Sequence, residues 1–118
     1  MKQDRQFYCT IEAAMCFIGG KYKPIILWNL IDNTLRFSDL RKRIPQATPK
    51  MLTQQLRELE EDNLLARTVY PVVPPKVEYS LTDLGRSIEP ILGSMYDWGA
   101  EYLKSKGIEA SCSMSARH

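Results

Sequence analysis

The sequence has no apolar run approaching the roughly 18 to 20 residues that a membrane-spanning helix needs. Its amino terminus lacks the apolar stretch of a signal peptide. There is one histidine, at the carboxyl terminus, and the three cysteines fit neither the spacing of a zinc site nor a disulfide framework. We therefore expect a cytoplasmic protein that holds no metal and no other cofactor.

The signatures of catalysis are also missing. We find no paired carboxylates, no nucleophile beside a base and no glycine-rich phosphate loop, so an enzyme is not expected. The 118 residues are 44% hydrophobic and 25% charged, which is typical of one soluble domain. We predict a single domain over residues 1–106, followed by a small polar tail, residues 107–118, that is expected to be disordered.

The formal net charge is only +2, but it is unevenly distributed. Between Arg36 and Arg57 six basic residues accompany one acid, Asp39, and four acids follow at positions 58–62. A basic excess concentrated in one part of a short chain indicates a surface that faces an anion. Basic residues that merely solvate helix faces would give the same charge pattern, so charge alone does not decide between the two interpretations.

Hydrophobic spacing predicts a mainly α fold with a small β-hairpin. Helices are predicted at residues 10–18, 24–31, 39–44 and 49–62, strands at 65–70 and 76–81, and a long last helix at 82–106. Pro90 should kink or split this last helix. Residues 36–37 are interpreted as a short stub of strand. The predicted N-caps are Thr10, Ser38, Thr48 and Thr82.

A short helix, a turn at residues 45–47 and a second helix form a helix-turn-helix, and the following hairpin is then its wing. The helix predicted at 49–62 has an apolar side, which Gln55 interrupts at what we expect to be its edge. Its opposite side carries residue types that donate to bases or phosphates, and the major groove, about 12 Å wide, admits one such helix. The predicted contacts to double-stranded DNA are Lys50, Thr53, Gln54, Arg57, Thr48, Arg36, Arg41, Arg43 and Lys76.

The sequence closely resembles the HxlR-type winged helix-turn-helix regulators, which are relatives of the MarR group. The match runs from about residue 9 to residue 103, with Tyr22 where the family usually has Trp and Asn63 where Gly is common. It rests on these motifs: Cys9, IGGKYK at 18–23, RFSDL at 36–40, IP at 44–45, KMLTQQLRELE at 50–60, VYP at 69–71, PPKVEYSLT at 74–82, Gly85 and WG at 98–99.

The resemblance implies a DNA-binding homodimer that represses or activates neighbouring genes and dimerises through its amino- and carboxyl-terminal helices. Packing supports this, because the last helix carries more apolar surface than one small domain can cover. A two-fold dimer predicts a palindromic operator. The predicted interface residues are Ile11, Met15, Leu92, Met95, Tyr96, Trp98 and Tyr102.

Cys9 aligns with a cysteine that senses oxidants or electrophiles in some members of that family. It precedes a predicted helix, whose dipole favours the thiolate, and Arg5 could assist. Cys9 and Cys16 would lie about 10 Å apart on one helix, too far for a disulfide, whereas a bond between subunits or to Cys112 stays open. An unreactive Cys9 is the alternative.

Two further functional alternatives remain open at this stage. One is a regulator that binds an unknown small apolar effector near Trp28, Tyr96 and Trp98, aromatic residues that could equally be plain core. The other is a winged-helix module that binds protein instead of DNA.

Overall fold

The computed structural model describes residues 6–109, so the predictions for Arg5, Cys112 and the far end of the tail lie outside the described residues. It confirms the predicted mainly α fold with a two-stranded wing. None of the helices in the described range is long and apolar enough to cross a membrane. The elements, in chain order, are α1 (Thr10–Ile18), α2 (Lys23–Leu30), α3 (Phe37–Arg43), α4 (Pro49–Glu61), β1 (Leu65–Tyr70), β2 (Lys76–Leu81), α5 (Asp83–Arg86) and α6 (Glu89–Ser105).

The core forms around α2, which is apolar on nearly every side. A helix of that kind must be enclosed by its neighbours, and α2 contacts α1, α3, α4, α6 and β2. The leucines of α4 point towards it and are fully shielded from solvent. The largest fully buried apolar side chains are Ile26, Leu27, Leu30, Leu40, Ile44, Leu52, Leu56, Leu59, Leu64 and Leu65.

The wing is an antiparallel hairpin in which Leu65 pairs with Leu81 and Tyr70 with Lys76. It gains a third, single-residue partner just before α3. Leu35 N donates to Tyr79 O at 3.0 Å, and Tyr79 N donates back to Leu35 O at 2.8 Å. The strand stub expected at residues 36–37 is therefore wrong by one position. This pairing attaches the wing to the start of the helix-turn-helix.

Two predicted N-caps are wrong by one or two residues. Cys9, and not Thr10, caps α1, because the Cys9 sulfur accepts a hydrogen bond from Glu12 N at 3.4 Å. Arg36, and not Ser38, caps α3, because the Asp39 carboxylate reaches back and accepts a hydrogen bond from Arg36 N at 3.0 Å. That contact lets α3 begin at Phe37, two residues before its predicted start.

The long helix predicted at 82–106 is split, which is one of the two outcomes that Pro90 allowed. The short α5 ends at Arg86, and Pro90 occupies the first turn of α6, where its missing N–H leaves no hydrogen bond unmade. Thr82 caps α5 as predicted, with its hydroxyl oxygen accepting from Gly85 N at 3.0 Å.

Helix α6 carries two apolar stripes, which face different surroundings. One contains Leu92 and Tyr96, and the other contains Ile91, Met95, Trp98 and Tyr102. Leu92 is buried and Tyr96 stacks on Trp28 of α2, with ring centroids 5.5 Å apart. These two residues pack in or against the core of their own chain, and their role in a dimer interface stays a prediction. At 100° per residue they lie on the side of α6 opposite to solvent. Trp98, by contrast, is 71% exposed.

The packing around Gly85 leaves no room for a side chain. A Cβ at this position would collide with the carbonyl oxygen of Leu64 and lie 3.2 Å from the Leu81 Cδ2 methyl. We expect Gly85→Ala to lower the free energy of unfolding by about 1–3 kcal/mol, as overpacking does in a rigid site. Urea denaturation followed by circular dichroism measures this.

The matched control is Gly99→Ala in α6, where a Cβ meets no atom within 4 Å. It should leave stability unchanged or raise it by up to about 1 kcal/mol, because alanine favours helix over glycine. Equal unfolding midpoints for the two variants would contradict the packing interpretation.

Candidate nucleic-acid interface

Helix α4 presents a polar row to solvent on the side opposite its buried leucines. Lys50, Thr53, Gln54 and Arg57 are all exposed, whereas Leu52, Leu56 and Leu59 are fully shielded. The row lines a groove of about 590 Å³ together with Phe37 and Pro49. The structure therefore brings together the four residues that the sequence analysis placed on one arc of this helix.

The start of α4 is fixed by a side-chain cap. Thr48 Oγ1 accepts a hydrogen bond from Met51 N at 3.1 Å, and Pro49 has no amide hydrogen to satisfy. The amino end of α4 therefore offers fewer free N–H groups to a phosphate than an uncapped helix would. Contacts to an anion near this end must come mainly from side chains, including the exposed Lys50.

A second cleft, of about 370 Å³, separates α4 from the wing. Its lining includes Thr53 and Arg57 of α4, and Arg67 and Tyr79 of the hairpin, with Glu60 at its edge. Among residues 6–109 neither arginine forms an ion pair. The guanidinium groups are therefore available to phosphate, and one acid shares the cleft with them.

Arg67 was missed by the sequence analysis. The structure pairs it with Tyr79 across the hairpin, on the strand face that is turned towards α4. The available signal was the period of two along a strand, which places Arg67 on the same face as Leu65, a residue that is buried. The strand was predicted at residues 65–70, but its two faces were not assigned.

The predicted wing cation, Lys76, is engaged within the hairpin. Its ammonium lies 3.5 Å from the Glu78 carboxylate and 5.0 Å from the centroid of the Tyr70 ring. A hydrogen bond to the Glu78 carboxylate, reinforced by its negative charge, raises the pKa of Tyr70 above its ordinary value of 10.0. Lys76 lines neither groove, and the apolar tip beside it is exposed at Val72 and Val73.

The remaining predicted cations belong to α3 or directly precede it. Arg36 and Arg41 are exposed and Arg43 is half-buried, on or beside α3, and none of the three lines either groove.

Cys9 is exposed and caps the amino end of α1, whereas Cys16, on the same helix, is half-buried. Glu12 makes two hydrogen bonds at this end of the helix. Its amide donates to the Cys9 sulfur, and its carboxylate accepts from Tyr8 N at 3.0 Å. No residue of α1 is fully buried, and Ile11 and Met15 are 70% and 60% exposed. A nine-residue helix of this kind is marginal without a packing partner.

The aromatic residues considered for an effector do not form one site within the chain. Trp28 and Tyr96 stack on each other in the core, while Trp98 stacks on Tyr102, with ring centroids 5.6 Å apart, on the exposed side of α6. Across residues 6–109, no group of three or more His, Cys, Asp and Glu side chains is arranged to hold a metal ion.

The chain is similar to known proteins both in sequence and in structure. A family model described as HxlR-like helix-turn-helix matches residues 17–107. The HTH-type transcriptional regulator YdeP of Bacillus subtilis is 53% identical over 94 residues, which are 80% of this chain and 73% of YdeP. An HTH-type transcriptional regulator of Methanothermobacter thermautotrophicus is 50% identical over 99 residues, which are 84% of this chain and 76% of that protein.

A solved structure also superimposes closely. The redox regulator HypR in its oxidised form gives a TM-score of 0.76 with 49% sequence identity, over 79% of this chain and 96% of that one. Its reduced form gives 0.77 with 47% identity, over 82% of this chain and 99% of that one.

Proposed function

Because this chain belongs to the HxlR-like helix-turn-helix family, we propose that it regulates transcription as a homodimer that reads double-stranded DNA with α4. Membership confirms the resemblance drawn from the sequence motifs. The chain is a transcriptional regulator with a helix-turn-helix fold, and not an enzyme. The DNA contacts, the homodimer and the response to oxidants are our proposals for this chain.

The polar row of α4 is the observation that carries the proposal. Side chains that donate hydrogen bonds lie along one face of a helix whose other face is anchored by three buried leucines. A helix of about 10–12 Å diameter fits the major groove, which is about 12 Å wide. Arg57 suits a bidentate contact with guanine and Gln54 one with adenine.

The surrounding cations supply sequence-independent affinity. Arg36, Arg41 and Arg43 would meet the phosphates on one side of the groove, and Arg67 those beside the wing. Lys76 is partly neutralised by Glu78, so its contribution should be smaller than its charge suggests. Affinity built on several phosphate contacts falls steeply with salt, and a protein-binding module would show no such dependence.

The first test of DNA recognition is the double variant Gln54→Ala with Arg57→Ala. Each lost base contact costs about 1–3 kcal/mol, so the affinity for an operator selected from random-sequence DNA should fall at least about 30-fold. Fluorescence anisotropy measures the affinity, and circular dichroism verifies the fold.

The matched control is Arg86→Ala, which removes an arginine of α5 that is ion-paired to Asp83 at 2.9 Å and lines neither of the two grooves. It should change the affinity by less than about threefold, as surface substitutions do. Arg67→Ala should lower the affinity for all sequences alike and reduce the slope of log affinity against log salt by about 1. Full operator affinity in the folded double variant would refute the proposed role of α4.

The homodimer is supported by two exposed apolar surfaces. α1 has no fully buried residue, and Ile91, Met95, Trp98 and Tyr102 form an exposed stripe along α6. Soluble monomers rarely expose such a stripe, and it would bury a large area against a second copy. Two α4 helices about one DNA turn, roughly 34–36 Å, apart would then read a palindromic operator.

Trp98→Ser tests the dimer. Truncation of an aromatic anchor at an interface costs at least about 2 kcal/mol, so the dimer dissociation constant should rise at least about 30-fold. Sedimentation equilibrium measures it. Val73→Ser is the matched control, because Val73 is 99% exposed but lies at the wing tip, and it should leave the constant unchanged. If both variants remain dimeric to the same extent, the α6 stripe is not the interface.

The proposed sensor is Cys9. Its thiol is exposed, its sulfur caps the helix that we assign to the dimer interface, and HypR, a redox regulator, is about half identical to this chain. A quinone tests a single thiol, because the sulfur bonds to one ring carbon without a second cysteine. The hydrogen of that carbon and the proton of the thiol end on the two quinone oxygens, and the ring becomes a hydroquinone thioether. The adduct would disturb α1 and hence the spacing of the two α4 helices.

We expect benzoquinone treatment to change operator affinity at least about tenfold in the native sequence, equivalent to about 1.4 kcal/mol of coupling. Cys9→Ala should remove the response. Cys16→Ala is the control, since it removes a half-buried thiol from the same helix and should keep the response. Diamide, which takes two electrons and two protons from two thiols, then shows whether a second cysteine is needed. An affinity that benzoquinone does not alter would exclude Cys9 as the sensor.

A further inference from the structure

The segment that joins α1 to α2, residues 19–22, lies together with Lys23, the first residue of α2, against one flank of α4. We call these five residues the connector. Tyr22 N donates to Gln55 Oε1 at 3.3 Å, and Lys23 Nζ lies 2.7 Å from Glu58 Oε1. Gln55 and Glu58 are three residues apart and so lie on the same flank of α4, between its buried leucines and its exposed polar row. The connector therefore contacts α4 without covering the surface proposed to meet DNA.

A third contact fixes the connector to the turn of the helix-turn-helix. The Tyr22 side chain is buried, and its hydroxyl donates to the carbonyl oxygen of Gln46 at 3.1 Å. Gln46 lies in the turn between α3 and α4. The connector is thus attached to the turn before α4 and to two points along α4 itself.

The fit around Gly20 is close. A Cβ on Gly20 would lie 2.5 Å from Gln55 Oε1 and 2.9 Å from Lys23 Cδ. Gly20 therefore lets the connector backbone approach the Gln55 amide oxygen, and a larger residue would displace the two side chains that make the contacts.

The two partners of the ion pair differ in burial. The Lys23 side chain is 9% exposed and that of Glu58 is 37% exposed. Burial of an ammonium group costs desolvation energy that a partly exposed partner offsets only in part, so the burial of Lys23 is better explained by a specific geometry than by added stability. Here the geometry that the pair specifies is the orientation of α4 relative to the segment that leads from α1.

We propose that Tyr22, Lys23, Gln55 and Glu58 are positioning residues that couple α1 to α4 through the connector. The proposal rests on the proposed function in one respect, since it treats α1 as a dimer helix and α4 as the DNA-reading helix. The connector then sets the separation and angle of the two α4 helices in the dimer. A displacement of α1 reaches α4 by this route, without repacking of the leucine core.

The first experiment needs no DNA. Spin labels are placed on exposed positions of α1 and α4, Ala14→Cys and Glu60→Cys, in full-length protein whose native cysteines are replaced by serine. Excess unlabelled chains restrict the measurement to distances within one chain. In the double variant Lys23→Met with Gln55→Leu we expect the mean distance to shift by about 2 Å, the scale of helix shifts in switching proteins, or its distribution to broaden about twofold.

The controls separate the connector from general loss of structure. Lys21→Met removes a neighbouring, exposed lysine whose ammonium lies only over the Tyr22 ring at 5.4 Å, and it should leave the distance distribution unchanged. The conservative variants Lys23→Arg and Gln55→Glu keep a cation and an acceptor and should also keep it. Should the double variant fail to fold, Gln55→Leu alone removes one hydrogen bond and is measured in its place.

The second experiment measures the consequence on DNA. A one-base-pair insertion between half-sites rotates them by about one tenth of a turn, so the native protein should lose affinity at least about tenfold. The connector variant should lose less than about threefold, because its α4 helices are less constrained. An unchanged distance distribution, or undiminished selectivity for spacing, in a folded connector variant would overturn the proposal. Absence of DNA binding by the native protein would refute the proposed function and leave the distance measurement to decide on the connector.

Discussion

The burial of Leu52, Leu56 and Leu59 in the common hydrophobic core is the interaction on which the rest of the structure depends. All three are fully shielded, and burial of a leucine contributes about 1.5–3 kcal/mol, so this contact holds α4 firmly on the domain. Because a helix has 3.6 residues per turn, fixing that face also fixes where Lys50 and Arg57 point. The two opposite faces of α4 are thus the buried leucine face and the proposed DNA surface, and the position of the first determines that of the second.

The hydrophobic pattern alone predicted α1, α2, α4 and the hairpin to within one residue, because that pattern is a property of the sequence itself. Helix starts were less predictable. Cys9 is a weak acceptor and Arg36 is an unusual N-cap. Both helix starts are fixed by an acid in the first turn, Glu12 or Asp39, whose carboxylate accepts a hydrogen bond from a backbone amide before the helix. A rule that looks only for a good capping residue misses helices whose start is fixed from within the first turn.

The candidate site shows the same division. The four polar residues of α4 follow from helical spacing, whereas Arg67 joins them only through the pairing of β1 with β2 and the attachment of Tyr79 to Leu35. α6 carries two apolar stripes, and the sequence could not say which one packs on α2. Gln55, which interrupts the apolar side of α4, is explained only by the connector, because its partner is a backbone amide 33 residues earlier.

The ion pair between Lys23 and Glu58 also bears on the electrostatics of the proposed DNA surface. DNA responds to charges within a Debye length, about 8–10 Å, and not to the net charge of the whole chain. Glu58 follows Arg57 directly and would oppose phosphate binding if it were unpaired. Its partner, Lys23, comes from the connector, so the residue that orients α4 also neutralises an acid beside its basic row. A chain with a net charge of only +2 can in this way present a locally basic face.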